Sequence, residues 1–342
     1  MMTIRNLRLI VCCAAALLAM IPNALATEDK LIVATAQRSA WESAAALLGQ
    51  QAEIFKKHGI ALEFVFTQDD DATEDQVISG SADVGLAVNA MHVMRSYARG
   101  APLRIIGGQR AGSMNYWYVP KSSPIKSIEG MEGKTIAYES NGSSSHYDVI
   151  DFMRSYGLKA RLVLTGGASA TLAHVKAGIV DIGWGALPFG IDKIALGDIR
   201  VVARANDVPS IRNKTTSVMI THAETLQKRK QLLVRFLLAY REAVEWMYSD
   251  PAALQRYAEL ADMSEGVVRE LRDEFFPKEM LSPGRIIGLN AVVNDAMALR
   301  YLHKALSRGQ IRSLAPSAPA TPVERVLCVF DSEACPMGLI AP

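Results

Sequence analysis

Cysteine is scarce in this chain. There are four in 342 residues, and two of them, Cys12 and Cys13, lie in an apolar segment near the start. That leaves too few thiols for a cysteine-based metal site or a disulfide-rich scaffold. Familiar catalytic signatures are also missing. The sequence contains no G-x-S-x-G elbow, no H-E-x-x-H and no P-loop, and Gly107-Gly108 is not a dinucleotide fingerprint. Charge of one sign is lacking as well. The chain has 37 Lys+Arg against 35 Asp+Glu, and residues 1–26 hold Arg5 and Arg8 but no acid, so 37 − 2 = 35 balances 35 beyond Ala26. A nucleic-acid-binding protein would carry a basic bias. Long apolar runs are absent apart from Leu9 to Ile21, which is too short for a comfortable membrane span.

That run follows Arg5 and Arg8 and ends in Pro22 and Ala24-Leu25-Ala26. A basic start, an apolar middle and an A-x-A end describe a secretory signal peptide, with cleavage expected after Ala26 and export to the periplasm. An uncleaved anchor is the alternative. Cys12 and Cys13 lack the small preceding residue and polar spacer of a lipoprotein signal. The two remaining cysteines, Cys328 and Cys335, lie close together in an exported chain, which suggests a disulfide rather than two free thiols.

What the sequence does have is a repeated pattern. V-x-x-G-x-x-D-(V/I)-G occurs at Val77–Gly85 and again at Val175–Gly183, with Asp83 and Asp181 at equivalent places. Each copy reads as a helix end, a glycine cap, a turn and a buried strand. Around these, strands alternate with helices: 61–67, 84–88, 103–107, 160–164, 182–184, 199–203 and 216–221 read as strands. Alternation predicts parallel sheets, with ligands beyond the carboxyl ends of the strands. Past 221 the pattern turns helical, with helices over 222–248 and 285–306 and starts at Asp250-Pro251 and Asp262–Ser264. The end, 308–342, is Pro- and Ala-rich, with Ala315-Pro316 to Pro322 reading as an extended tail.

The segment Lys134–Tyr147, KTIAYESNGSSSHY, is a short strand, a polar turn and the start of a helix. Free N–H groups in a first helical turn favour an anion, and Asn141, Gly142, Ser143, Ser144, Ser145 and His146 add donors. Helix capping alone is the competing explanation. Adjacent Ser and His residues on one helix rarely aim at each other, so no catalytic role is expected for His146. At the other strand ends, Gln37, Arg38 and Ser39 could bind an anionic group. Asn89 and Gly166 occupy similar loops. Trp41 could stack on a ligand or simply pack. Trp184, between Gly183 and Gly185, has room beside it for a ligand. Asp69-Asp70-Asp71 could reach a cation or amine, or cap a helix.

In order and spacing, the Ile-Val strand, AEIFKKHGIALEF at 52–64, the G-x-A-D-V-G turn at 80–85, GKTIAYESNGSSSHY at 133–147 and D-I-G-W at 181–184 resemble periplasmic substrate-binding proteins of transporters for nitrate, sulfonates, taurine and thiamine-pyrimidine precursors. The resemblance covers most of residues 30–250. It implies an α/β fold of the periplasmic binding protein type II: two Rossmann-like lobes joined by two crossover strands, plus C-terminal helices. Lobe 1 would comprise 27–116 and 214–307 and lobe 2 117–213, with hinges near Tyr116–Lys121 and Val208–Thr216. It implies a monomer that closes on a small-molecule solute and delivers it to an ABC permease. No cofactor, metal, catalytic residue or nucleic acid is expected. The helix-opening Ser/Gly loop, here Asn141 to Ser145 with His146 next, is where the family often holds an anionic group. Trp41, Trp184, Phe189 and Tyr116-Trp117-Tyr118 point to an organic anion, aromatic or heterocyclic, over nitrate. Two alternatives are a receptor presenting its ligand to a membrane sensor and an enzyme like the thiamine-pyrimidine synthases. The latter carry a cysteine cluster that this chain lacks.

Overall fold

Two sheets, each fed by strand–helix units, carry the fold. The computed structural model describes residues 28–281 and 283–316. Residues 1–26, the cysteines and residues 317–342 lie outside the described residues, so the signal peptide and the Cys328–Cys335 pair do too. The first sheet has strand order β2–β1–β3–β10–β4. Its strands are β1 (Asp29–Thr35), β2 (Ile60–Phe66), β3 (Val84–Asn89), β4 (Leu103–Ala111) and β10 (Thr215–His222). The second is built from β5 (Asn115–Pro120), β6 (Thr135–Tyr138), β7 (Arg161–Leu164), β8 (Gly183–Ala186) and β9 (Ile199–Arg204). β8–β5–β9 and β6–β7 form two ladders, and a parallel bridge between Ile136 and Ile182 joins them. The resulting order, β7–β6–β8–β5–β9, matches the first sheet position for position.

The sequence echo has a structural meaning. Asp83 accepts the Ile32 N–H at 2.9 Å, and Asp181 accepts the Thr135 N–H at 2.8 Å. Each aspartate therefore pins the start of the neighbouring parallel strand. The glycines that precede them, Gly80 and Gly178, have φ of 76° and 70°, the left-handed conformation a helix end needs. A second matched pair lies at the opposite strand ends. Thr67 bonds Thr73 at 2.6 Å, and Thr165 bonds Thr171 at 2.6 Å.

The all-parallel expectation is corrected. β10 runs antiparallel to both β3 and β4, and β5 runs antiparallel to β8 and β9. Both are strands that have just arrived from the other sheet, so they enter from the opposite end. The first crossing is Gly112–Met114, between β4 and β5. Within Tyr116–Lys121, expected as a hinge, residues 116–120 are instead strand, with Tyr116, Trp117 and Tyr118 fully buried. The second crossing runs from Ala205 to Lys214, through a short helix at Pro209–Arg212.

Lys230–Ser249 contains no glycine or proline and buries Leu233, Phe236, Leu237, Tyr240, Val244 and Met247 on one face, the stripe of a core-facing helix. It packs on the helix Trp41–Gln51 of the first lobe. Asp250 then caps Pro251–Ala261, accepting from Ala252 N–H at 2.9 Å. The expected helix over 285–306 is shorter, Leu289–Ala298, and the chain leaves it through Arg300 at φ 62°. Ahead of the expected extended stretch, Arg308–Leu314 is a helix, closed by a Ser307/Gln310 capping box. No described helix is long and apolar enough to cross a membrane.

Candidate functional site

A cavity of about 480 Å³ opens where the two sheets meet. From the first lobe it receives Asn89 and Met91 after β3, Arg110 at the end of β4, and Asp295 and Leu299 near the helix Leu289–Ala298. From the second lobe it receives Ser144, Tyr147, Asp148, Asp151 and Arg154 of the helix Ser144–Tyr156. Gly112–Met114 of the first crossing, Asn115 at the start of β5, and Ile211 and Lys214 of the second crossing also line it. One hydrogen bond closes across it, from Tyr147 Oη to the Ala298 carbonyl at 3.0 Å.

Three cations border this space, each beside an acid. Arg110 Nε donates to Glu42 Oε1 at 2.9 Å and its Nη1 to the Gly112 carbonyl at 3.2 Å. Its Nη2 has no acceptor among the described residues. Lys214 Nζ meets Asp295 at 2.6 Å, and Arg154 meets Asp151 at 3.2 Å. Asp148 is buried, and its Oδ2 accepts from Ser113 Oγ at 2.5 Å and Asn115 Nδ2 at 2.8 Å. Burial pushes its pKa up to about 6, against the lowering effect of those two donors. The Ser144 and Ser145 N–H groups, in the first turn of their helix, donate to no described residue.

Of the residues anticipated from sequence, Asn89 and Ser144 line this cavity. The others lie elsewhere. Gln37, Arg38 and Ser39 are exposed beyond β1, with Arg38 over the Phe66 ring at 5.0 Å and the Ser39 carbonyl accepting from Tyr257 at 2.7 Å. The polar turn is largely bonded to itself. Ser143 caps the helix at His146 N–H, Ser145 Oγ accepts from Glu139 N–H at 3.0 Å, and Asn141 accepts from Tyr138 Oη at 2.7 Å. His146 Nδ1 accepts from Gly142 N–H at 3.1 Å while its ring stacks on Tyr138.

The tryptophans are packed. Trp41 is 1 % exposed, stacked on Phe276 and bonded through Nε1 to Tyr248 Oη at 3.0 Å. Trp184 is buried and donates to the Gly166 carbonyl at 3.3 Å. The space left by its flanking glycines is filled by tyrosines. A Cβ on Gly183 would lie 2.5 Å from the Tyr118 ring, and one on Gly185 would lie 2.8 Å from Tyr116.

The three aspartates are each occupied. Asp69 caps its helix at Ala72 N–H, Asp70 accepts from Asn89 N–H at 2.9 Å, and Asp71 pairs with Arg95. No metal-binding group of His, Cys, Asp or Glu occurs among the described residues.

Arg110, Asp148 and Lys214 escaped the sequence reading. Arg110 carried one usable signal, a basic side chain at a strand end. Asp148 and Lys214 carried none, since a helical aspartate and a loop lysine are ordinary surface residues until the fold buries them.

Residues 41–254 match the family model described as NMT1/THI5 like. Comparison with curated protein sequences gives no match. Among solved structures, the periplasmic aliphatic sulphonate binding protein of Escherichia coli superposes with a TM-score of 0.63 at 19% identity, over 84% of this chain and 97% of that one. The alkanesulfonate-binding protein of Xanthomonas axonopodis pv. citri bound to MOPS gives 0.59 at 18%, over 82% and 97%. A protein assigned as the periplasmic sulfonate-binding protein of a Methylobacillus flagellatus KT transporter gives 0.66 at 17%, over 92% and 98%. At these identities the likeness establishes the fold. With its two matched sheets and the family match across both, the chain belongs to the NMT1/THI5-like family and has the periplasmic binding protein fold.

Proposed function

We propose that this protein is the solute-binding component of an ABC importer, exported to the periplasm after removal of residues 1–26. The observation that carries this reading is the cavity itself. Both lobes and both chain crossings contribute to its wall, so a solute there can touch everything at once only when the lobes are together. Binding then shifts an open–closed equilibrium, and the closed form is what a permease would read. The lobes are 27–116 with 214–307, and 117–213. The solved sulfonate-binding proteins of the same fold support the class of ligand.

The solute is a compact organic molecule with an anionic group. Arg110 Nη2 and the free N–H of Ser144, both on lining residues, supply donors for that group. An aromatic solute, suggested by the tryptophans, has less support, because among the described residues Tyr147 alone brings an aromatic side chain to the lining. The exposed loops at Gln37–Ser39 and Asn141–Gly142 form the outer rim in this proposal and meet the solute last.

Native mass spectrometry on protein recovered gently from the exported fraction tests this. A bound small organic acid is the expected result. A thermal-shift panel of sulfonates, carboxylates and nitrate follows, since a ligand at 100 times its Kd adds roughly 2.7 kcal/mol. An empty protein that none of these compounds stabilises would overturn the reading.

A further inference from the structure

Charges in the cavity cancel in pairs, with one exception. Arg110 faces Glu42, Lys214 faces Asp295 and Arg154 faces Asp151. Asp148 has no cation within ion-pair distance among the described residues. Its two partners, Ser113 and Asn115, are neutral, and both bond to Oδ2. Oδ1 takes no hydrogen bond from any described residue, and the residue, 9 % exposed, lines the cavity. A carboxylate oxygen that faces the cavity with no donor from the protein is a position that a donor on the solute can complete.

Resting on the solute-binding reading above, we propose that Asp148 determines specificity in this cavity by selecting solutes that carry a protonated nitrogen. An ammonium at Oδ1 would supply both the missing donor and the missing counter-charge, which a hydroxyl would do only in part. A second carboxylate or sulfonate there would be repelled. The rest of the lining agrees with this. Every cation already has its acid, so the cavity has no net positive charge with which to hold a bare anion. A solute with an anionic group near Arg110 and Ser144 and a cationic group at Asp148 leaves neither end uncompensated. Burial raises the Asp148 pKa, and Lys214, the one cation that opposes this, acts only from beyond ion-pair distance.

Calorimetry with three matched probes tests this: propanesulfonate bearing a terminal ammonium, a terminal hydroxyl or neither. The native protein should prefer the ammonium probe by about tenfold or more, the scale of one desolvated charge-assisted contact. In Asp148→Asn, which can still accept from Ser113 and Asn115, that preference should collapse. Equal affinities in the native protein, or a preference that survives in Asp148→Asn, would overturn the inference while leaving the solute-binding reading intact. If no sulfonate binds, the sulfonate reading falls. Thermal shifts with butylammonium and butanol then decide the role of Asp148: stabilisation by butylammonium alone supports it, and no difference between the two overturns it.

Discussion

Trp41 is where sequence and structure part most clearly at the scale of single residues. A tryptophan just after a strand-end loop suits ligand stacking, yet here its ring lies among Tyr248, Tyr257 and Phe276. Its role is to fasten the Lys230–Ser249 and Pro251–Ala261 helices to the first lobe. Trp41→Ala should therefore lower stability by roughly 3–5 kcal/mol, the cost of emptying a large aromatic site. Denaturant unfolding measures that loss, and Trp41→Phe should leave solute selectivity unchanged. Two buried acids make a further prediction. Asp148 titrates at about 6 against 3.8 for a free aspartate, and Glu74 at about 7 against 4.5. Desolvation is the main cause in both. Between each pair of values the folded protein holds a proton that the unfolded chain has lost, so stability falls as pH rises through that window. At about 1.4 kcal/mol per pH unit, the two together should cost up to roughly 6 kcal/mol between about pH 4 and pH 7. Chemical denaturation across that range measures the slope, and Glu74→Gln should flatten its upper half.

Elements were more legible than sites. Strands and helices in both lobes fall close to where apolar spacing and glycine caps place them, because those signals are local. The repeat at Asp83 and Asp181 also survived, since each aspartate serves a backbone N–H only one strand away. Failures came where the outcome depended on distant chain. Tyr116–Tyr118 is a central strand because β8 and β9 arrive on either side of it, which no local pattern announces. Gly183 and Gly185 marked a close approach correctly, but the approaching group is a tyrosine. These glycines yield a prediction at the same scale. Gly183→Ala should destabilise by roughly 1–3 kcal/mol through overpacking against Tyr118. Gly266→Ala, inside the helix Glu265–Phe275, has open space and no left-handed φ, so it should be neutral or stabilise by about 0.4–1 kcal/mol. Thermal unfolding of the two variants distinguishes them. Similar losses in both would mean that the β5–β8 packing has been misread.

On the scale of the whole molecule, the proposed function requires the lobes to move as bodies. Small-angle scattering should show contraction when a saturating solute is added, and identical profiles would contradict closure. Gly112 is the residue to perturb. It sits in the first crossing at φ 82°, and a side chain there would collide with Asn206 of the second. Gly112→Ala should cost roughly 1–3 kcal/mol in stability, from strain at a left-handed position, and should alter the amplitude of the scattering change.

The same crossing has a mechanical consequence. The two connecting segments do not span the gap independently. Gly112 N–H donates to the Lys214 carbonyl at 2.8 Å, and Asn206 clasps Ser113 with an accepted bond of 2.8 Å and a donated bond of 3.0 Å. Two separate tethers would let the lobes slide and twist past each other. Two tethers stitched side by side behave like the leaves of a door hinge: they resist shear and leave one axis of swing. A search over relative positions is thereby reduced to a single angle. Under the proposed closure each wall residue would then have one path toward the solute, and a small rotation at the stitch would become a much longer stroke at the outer rim.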